Sequence, residues 1–170
     1  LSFEQRRTDD GQLKYLFTAY KGNKLQQIPR IKGVRIFGLK YMGSRTEEIL
    51  NNISKYIPSD PDSFTILMMH FGLQGRIKGY EGIEYAKYVE PLKDKIDYLA
   101  LGHFHNKYIQ EKDSQNWVFN PGSTEINEIK ESSEPRIAFI VSVNQQKKIS
   151  LDEYQIPTRR FVKINILIPK

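Results

Sequence analysis

Two apolar runs, each ending at a histidine, constrain this chain more than any other feature. Phe64-Thr65-Ile66-Leu67-Met68-Met69 leads into His70, and Asp97-Tyr98-Leu99-Ala100-Leu101 leads into Gly102-His103-Phe104-His105. A continuous apolar run of this length reads as a strand buried on both faces, as in sheets covered by helices. Open α/β sheets build their sites beyond the carboxyl ends of their strands. The chain has three histidines, and all three stand at or just past such an end. Neutral imidazoles gathered on one sheet edge read as a metal site.

The segments around these runs supply the rest of an α/β pattern. Residues 1–11 are polar and read as a loop or helix end. Residues 14–20 read as a strand, 21–24 as its turn and 25–28 as a short return. Residues 34–39 form another strand-like run. Ser44 with Glu47 makes a capping-box pattern. Ile49, Leu50, Ile53 and Ile57 then give a helical stripe that Pro58 ends. Residues 72–82 are a glycine-dotted loop, and 83–92 a short helix interrupted at Pro91. Beyond the histidine pair, 108–110 and 117–119 read as a hairpin around 112–114. Asn120-Pro121-Gly122-Ser123 reads as a tight turn near the metal edge. Residues 137–143, 148–156 and 161–168 are strand-like. The whole is α/β: strand-helix-strand-helix-strand, followed by antiparallel returns.

Composition narrows the function classes. The 170 residues fit one domain or part of a larger one. A hydrophobic fraction of 39% is enough for a core and argues against disorder. The absence of cysteine excludes disulfides, zinc-thiolate sites and thiol catalysis. It suits an intracellular protein of the cytoplasm, nucleoid or nucleus. No stretch approaches the roughly 18 apolar residues of a membrane span, and the first residues carry no secretory signal. The net charge of +6 favours polyanionic partners. A basic solvated surface is the equal alternative. The first residue is Leu1, which reads as a chain whose start lies upstream.

His103 and His105 are two apart, which puts both on one face of a strand; in a loop they fan out to two neighbouring metals. Gly102 leaves room for close approach of a ligand or another chain segment. Imidazole donors alone leave zinc, manganese, iron, nickel and cobalt open. Hydrolysis of a phosphate ester by two metals about 3.5–4 Å apart needs more donors than three imidazoles.

Residues 66–70, the run Asp97-Tyr98-Leu99-Ala100-Leu101-Gly102-His103-Phe104-His105, and Asn120-Pro121-Gly122-Ser123-Thr124-Glu125 together resemble the second half of a calcineurin-like metallophosphoesterase. Their order and wording are most similar to the Mre-eleven/SbcD nucleases of double-strand-break repair. The resemblance spans about residues 34 to 125. It implies the second half of a β-sandwich flanked by helices, a four-layer αββα arrangement with the N-terminal half absent. Residues 1–157 are then the C-terminal portion of the nuclease domain, and 158–170 the start of, or linker to, a capping domain. The resemblance also implies that His70 and His103 bind one metal and His105 the other, normally two manganese ions, with other divalent metals admissible. The Asp-x-His, Gly-Asp and Gly-Asn-His-Asp motifs that supply the remaining ligands and the acid histidine do not occur in these residues. No catalytic acid is therefore expected within the chain.

The implied function is part of a manganese-dependent 3'-5' exonuclease and endonuclease, working as a homodimer with a Rad-fifty/SbcC-type ATPase. The rivals are a metallophosphoesterase for small phosphoesters and a non-catalytic interaction fragment. Arg76, Lys78 and Tyr80 on the glycine-dotted loop are candidates for DNA contact, through phosphates or base stacking; a solvated loop and ordinary packing are the alternatives. Tyr85 is a second stacking candidate. Asn120, Gly122 and Ser123 read as structural, Trp117 as core, and Asp97 as a local cap or pair. Arg159 and Arg160 are linker or DNA contacts.

Overall fold

The computed structural model describes residues 5–7, 13–15, 33–112, 115–159, 164 and 166. The readings of residues 16–28, of the closing strand at 161–168 and of Arg160 fall outside the described residues, except at positions 164 and 166. Inside the polar opening, β1 (Gln5–Arg7) pairs antiparallel with β2 (Leu13–Tyr15), so part of the expected loop is a strand.

The main sheet has five strands: β3 (Gly33–Gly38), β4 (Ser63–His70), β5 (Tyr98–Gly102), β6 (Tyr108–Lys112) and β7 (Gln115–Asn120). Their spatial order is β3-β4-β5-β7-β6. The β3–β4, β4–β5 and β5–β7 pairs are parallel, and only the β6–β7 hairpin is antiparallel. A separate antiparallel ribbon joins β8 (Ile137–Val143) to β9 (Ile149–Gln155). The protein is thus mixed α/β with a parallel-dominated sheet and few helices.

Helix α1 (Thr46–Ile53) connects β3 to β4. Its stripe works as the spacing predicts: Leu50, Ile53 and the following Ile57 are almost wholly buried. The expected capping box is absent. Arg45 occupies the N-cap without a side-chain bond, and Ser44 lies in a 3-10 turn that precedes the helix. The Thr46 hydroxyl donates instead to the Gly43 carbonyl at 2.7 Å. The Glu47 carboxylate is drawn away to accept from the Tyr88 hydroxyl at 2.6 Å. The second helical segment is a π turn over Tyr85–Val89 running into a 3-10 turn over Glu90–Asp94. Pro91 has no N–H for a regular α-helical ladder, yet the segment still buries Val89 and Leu92.

One sheet face forms the core. Phe37, Leu67, Leu99 and Val118 stand on in-register strands and pack with α1 and the 85–94 segment. The other face is only partly covered. Phe119 stacks on Tyr98 at 4.4 Å and meets Phe139 of β8 at 6.2 Å. Farther along that face Met68 is 50% exposed. The expectation that β4 is buried on both faces therefore fails: its residues 66, 68 and 70 alternate onto the more open side.

The amino-terminal end of the sheet is tied down by polar groups. The Thr65 N–H donates to Asp97 Oδ2 at 2.8 Å, and the Asp97 N–H donates to the Thr65 carbonyl at 2.9 Å. Arg35 donates to the Thr65 hydroxyl from two nitrogens, and Lys147 reaches Asp97 at 3.3 Å. Asp97 thus pairs across strands rather than locally. Leu67→Ala, at the centre of β4, is expected to cost about 2–5 kcal/mol of stability. Urea unfolding checks this, and a loss below about 1 kcal/mol would mean that Leu67 is not packed as described.

Candidate metal centre

The register of β4 against β5 places His70 directly beside Gly102. His103 follows at once, so its ring stands 5.2 Å from that of His70 at an interplanar angle of 77°. A Cβ at position 102 would lie 3.0 Å from His70 Nδ1, so glycine there makes room for the His70 ring. His103 has φ of 98°, a conformation that costs a non-glycine residue about 1–3 kcal/mol. Strain of this kind persists where surrounding structure over-determines it, often at functional sites.

An aromatic wall surrounds the pair. Tyr41, just past the end of β3, stacks on His103 at 5.7 Å and meets His70 edge-on at 5.8 Å. The Tyr80 hydroxyl sits 2.7 Å from His103 Nε2, and the Tyr80 ring lies edge-on to Phe104 at 4.8 Å. Burial raises the pKa of the Tyr80 phenol, with Tyr41 adding to the effect. The His103 imidazole is pushed below its ordinary value, first by burial and then by His70 and His105. It is therefore neutral at physiological pH, the form that ligates metals.

His105 has a different partner. Its Nδ1 lies 2.8 Å from Glu131 Oε1. Glu131 Oε2 accepts from the Asn127 N–H at 3.3 Å and faces Arg136 at 3.5 Å. The Glu131 carboxyl is held below the usual range, chiefly by the His105 hydrogen bond, with Arg136 contributing.

The loop bearing His103 and His105 is fastened from β7 onward. Buried Asn120 donates from Nδ2 to the carbonyls of Phe104 at 3.0 Å and Asn106 at 2.8 Å. Gly122 has φ of 88° and lies so close to the His105 carbonyl that a Cβ would collide with it. The Ser123 N–H donates to that carbonyl at 3.2 Å. The segment 120–123 therefore bonds across to the histidine loop instead of closing a tight turn on itself.

Arg76, Tyr80, Tyr85 and Arg159 have protein partners. Arg76 donates to Gln110 and lies 5.0 Å over the Tyr108 ring. Tyr80 turns to His103, and Lys78 is exposed. Tyr85 Oη accepts from the indole N–H of Trp117 at 2.9 Å, with Trp117 deep in the core. Arg159 pairs with Glu125 at 3.3 Å.

Sequence reading missed Tyr41, Glu131 and Arg136. The last two lie in a charged stretch that reads as solvent-facing, and no local signal marks the burial of Arg136.

The donor set fits part of a metal site. Two neutral imidazoles stand side by side, but among the described residues no three of His, Cys, Asp and Glu form a group able to hold an ion. The structure thus pairs His70 with His103 and bonds His105 to Glu131.

The chain matches no protein-family profile and no curated protein. Among solved structures, it aligns with one titled as a 5'-nucleotidase from Staphylococcus aureus in complex with alpha-ketoglutarate, at 12% identity and a TM-score of 0.44. The alignment covers 98% of this chain and 34% of that one, so the chain spans about a third of its length. A likeness this slight decides neither fold nor function.

The depressed pKa of His103 has a consequence for stability. The unfolded chain takes up a proton at the ordinary value of 6.5, while the folded site resists protonation to lower pH. Stability should therefore fall as pH drops below about 6.5 towards the folded value. His103→Asn is expected to lessen that fall, measured as urea midpoints at pH 7.5 and 5.5. Equal losses in both proteins would mean that the burial of His103 is not felt.

Proposed function

We propose that this chain is part of a metal-dependent phosphoesterase, with His70 and His103 holding one ion and His105 a second. The observation that carries the reading is the side-by-side placement of His70 and strained His103 at the carboxyl ends of adjacent parallel strands. The motif resemblance to the Mre-eleven/SbcD nucleases supports a phosphodiester in DNA as substrate and manganese as the metal. When bound, such ions neutralise phosphoryl oxygens and lower the pKa of water.

The chain's own residues present neutral nitrogens and set their spacing. Gly102 gives His70 room, while Tyr41 and Tyr80 border the imidazoles with aromatic surface. The Asn120 and Ser123 bonds hold the loop backbone in place. Tyr80 must release His103 Nε2 if that atom is to serve as a ligand. The remaining donors and the proton source for the leaving oxygen come from protein outside these residues. The same reading makes residues 1–157 a portion of the nuclease domain, and the homodimer and ATPase partner belong to it as well.

The deciding experiment uses the intact protein. Manganese binding is measured by calorimetry, and hydrolysis is followed on duplex DNA and on a generic small phosphodiester. His70→Ala and His103→Ala are each expected to lower manganese affinity by more than the roughly 10–100-fold that loss of an outer-shell partner costs, and to abolish metal-dependent cleavage. Wild-type binding in either variant sinks the metal assignment. Turnover of the small ester without DNA cleavage moves the substrate to small phosphoesters. An absence of metal binding by the wild type leaves an interaction module.

A further inference from the structure

We infer that Glu131, clamped by the buried Arg136, is a positioning residue that fixes His105 with Nδ1 as hydrogen-bond donor and Nε2 as the atom carrying the free lone pair. The tautomer follows from the geometry alone. Its value as a ligand arrangement rests on the function proposed above.

The hydrogen bond between His105 Nδ1 and Glu131 Oε1 is 2.8 Å long. An ionised carboxylate accepts and has no proton to give. The other oxygen, Oε2, is already faced by two donors, the Asn127 N–H and the Arg136 guanidinium. The proton of the short contact therefore belongs to Nδ1. A neutral imidazole protonated there keeps its lone pair on Nε2, and among the described residues no group bonds to that atom.

Arg136 stabilises both halves of the arrangement. Its side chain is 1% exposed and that of Glu131 11%. One terminal nitrogen donates to the His105 carbonyl at 3.0 Å and to the Ser123 hydroxyl at 2.9 Å. The other donates to the Glu131 carbonyl at 2.8 Å and faces the Glu131 carboxylate. A single guanidinium thus holds the backbone that carries the imidazole and the carboxylate that orients it. Carboxylates on the distal nitrogen of a ligating histidine fix its tautomer and raise its basicity. Among the described residues no carboxylate bonds to His103, whose Nε2 faces a phenol.

The test has a readout independent of activity. The intact, metal-free protein is labelled with 15N-histidine, and imidazole nitrogens are read by long-range 1H–15N correlation at pH 8. The His105 signals are assigned by their loss in His105→Gln. The expected wild-type pattern is a protonated Nδ1 and a bare Nε2. Glu131→Ala should lose that preference, and Glu131→Gln should keep part of it because the amide oxygen still accepts. Zinc, a diamagnetic probe, should bind about 10–100-fold more weakly to Glu131→Ala than to wild type.

A wild-type His105 protonated at Nε2, or an unchanged tautomer in Glu131→Ala, overturns the inference. Should Glu131→Ala fail to fold, the wild-type spectrum and Glu131→Gln still decide it. If the tautomer is as stated but zinc does not bind the wild type, the positioning of His105 stands and the proposed function falls.

Discussion

The parallel, residue-for-residue pairing of β4 with β5 is the constraint on which the histidine edge depends. Adjacent strands lie about 4.8 Å apart, and His70 opposite Gly102 leaves His103 the next position beyond that pair. A slip of one residue would turn His70 from the open face into the core and Met69 out of it. The register is secured at the far end, where Thr65 and Asp97 exchange two hydrogen bonds and Arg35 and Lys147 brace them. A polar clasp at the amino-terminal edge thus sets a distance between imidazoles at the carboxyl edge, several residues away.

The two edges are chemically unlike. At the amino-terminal edge opposite charges meet, so little is left to bind. At the carboxyl edge His70 and His103 face each other inside an aromatic rim, and one of them sits in an uncommon backbone conformation. Burial, and then the neighbouring imidazoles of His70 and His105, disfavour protonating His103. An edge that presents imidazole lone pairs inside an aromatic rim is suited to receive a cation.

Much of the framework was legible because it follows from local pattern. The apolar runs announced β3, β4 and β5, and the stripe of Ile49, Leu50, Ile53 and Ile57 announced α1. Short strand-like runs on either side of residues 112–114 announced the β6–β7 hairpin, and those at 137–143 and 148–156 announced β8 and β9. The errors have a common physical origin in contacts between residues distant in sequence. Glu47 had the spacing of a cap but bonds to Tyr88, 41 positions away. Arg136 reaches back 31 positions to the His105 carbonyl. Met68 sits in an unbroken apolar run, yet half of it remains exposed because that sheet face is only partly covered. Three histidines at strand ends said where to look, but not that Glu131 would take one of them.

The strand order also shows what fastens the histidine edge to the sheet. The chain leaves β5 for the outermost strand, β6, and only then returns with β7 to fill the gap between them. The loop of residues 103–107 spans that gap, and Asn120 at the end of β7 is what grips it. Asn120 thus ties the strand that fills the gap to the loop that crosses it, and the Phe104 and Asn106 carbonyls of that loop find their partner in β7. Any disturbance that loosens this one strand would reach the imidazoles without touching them.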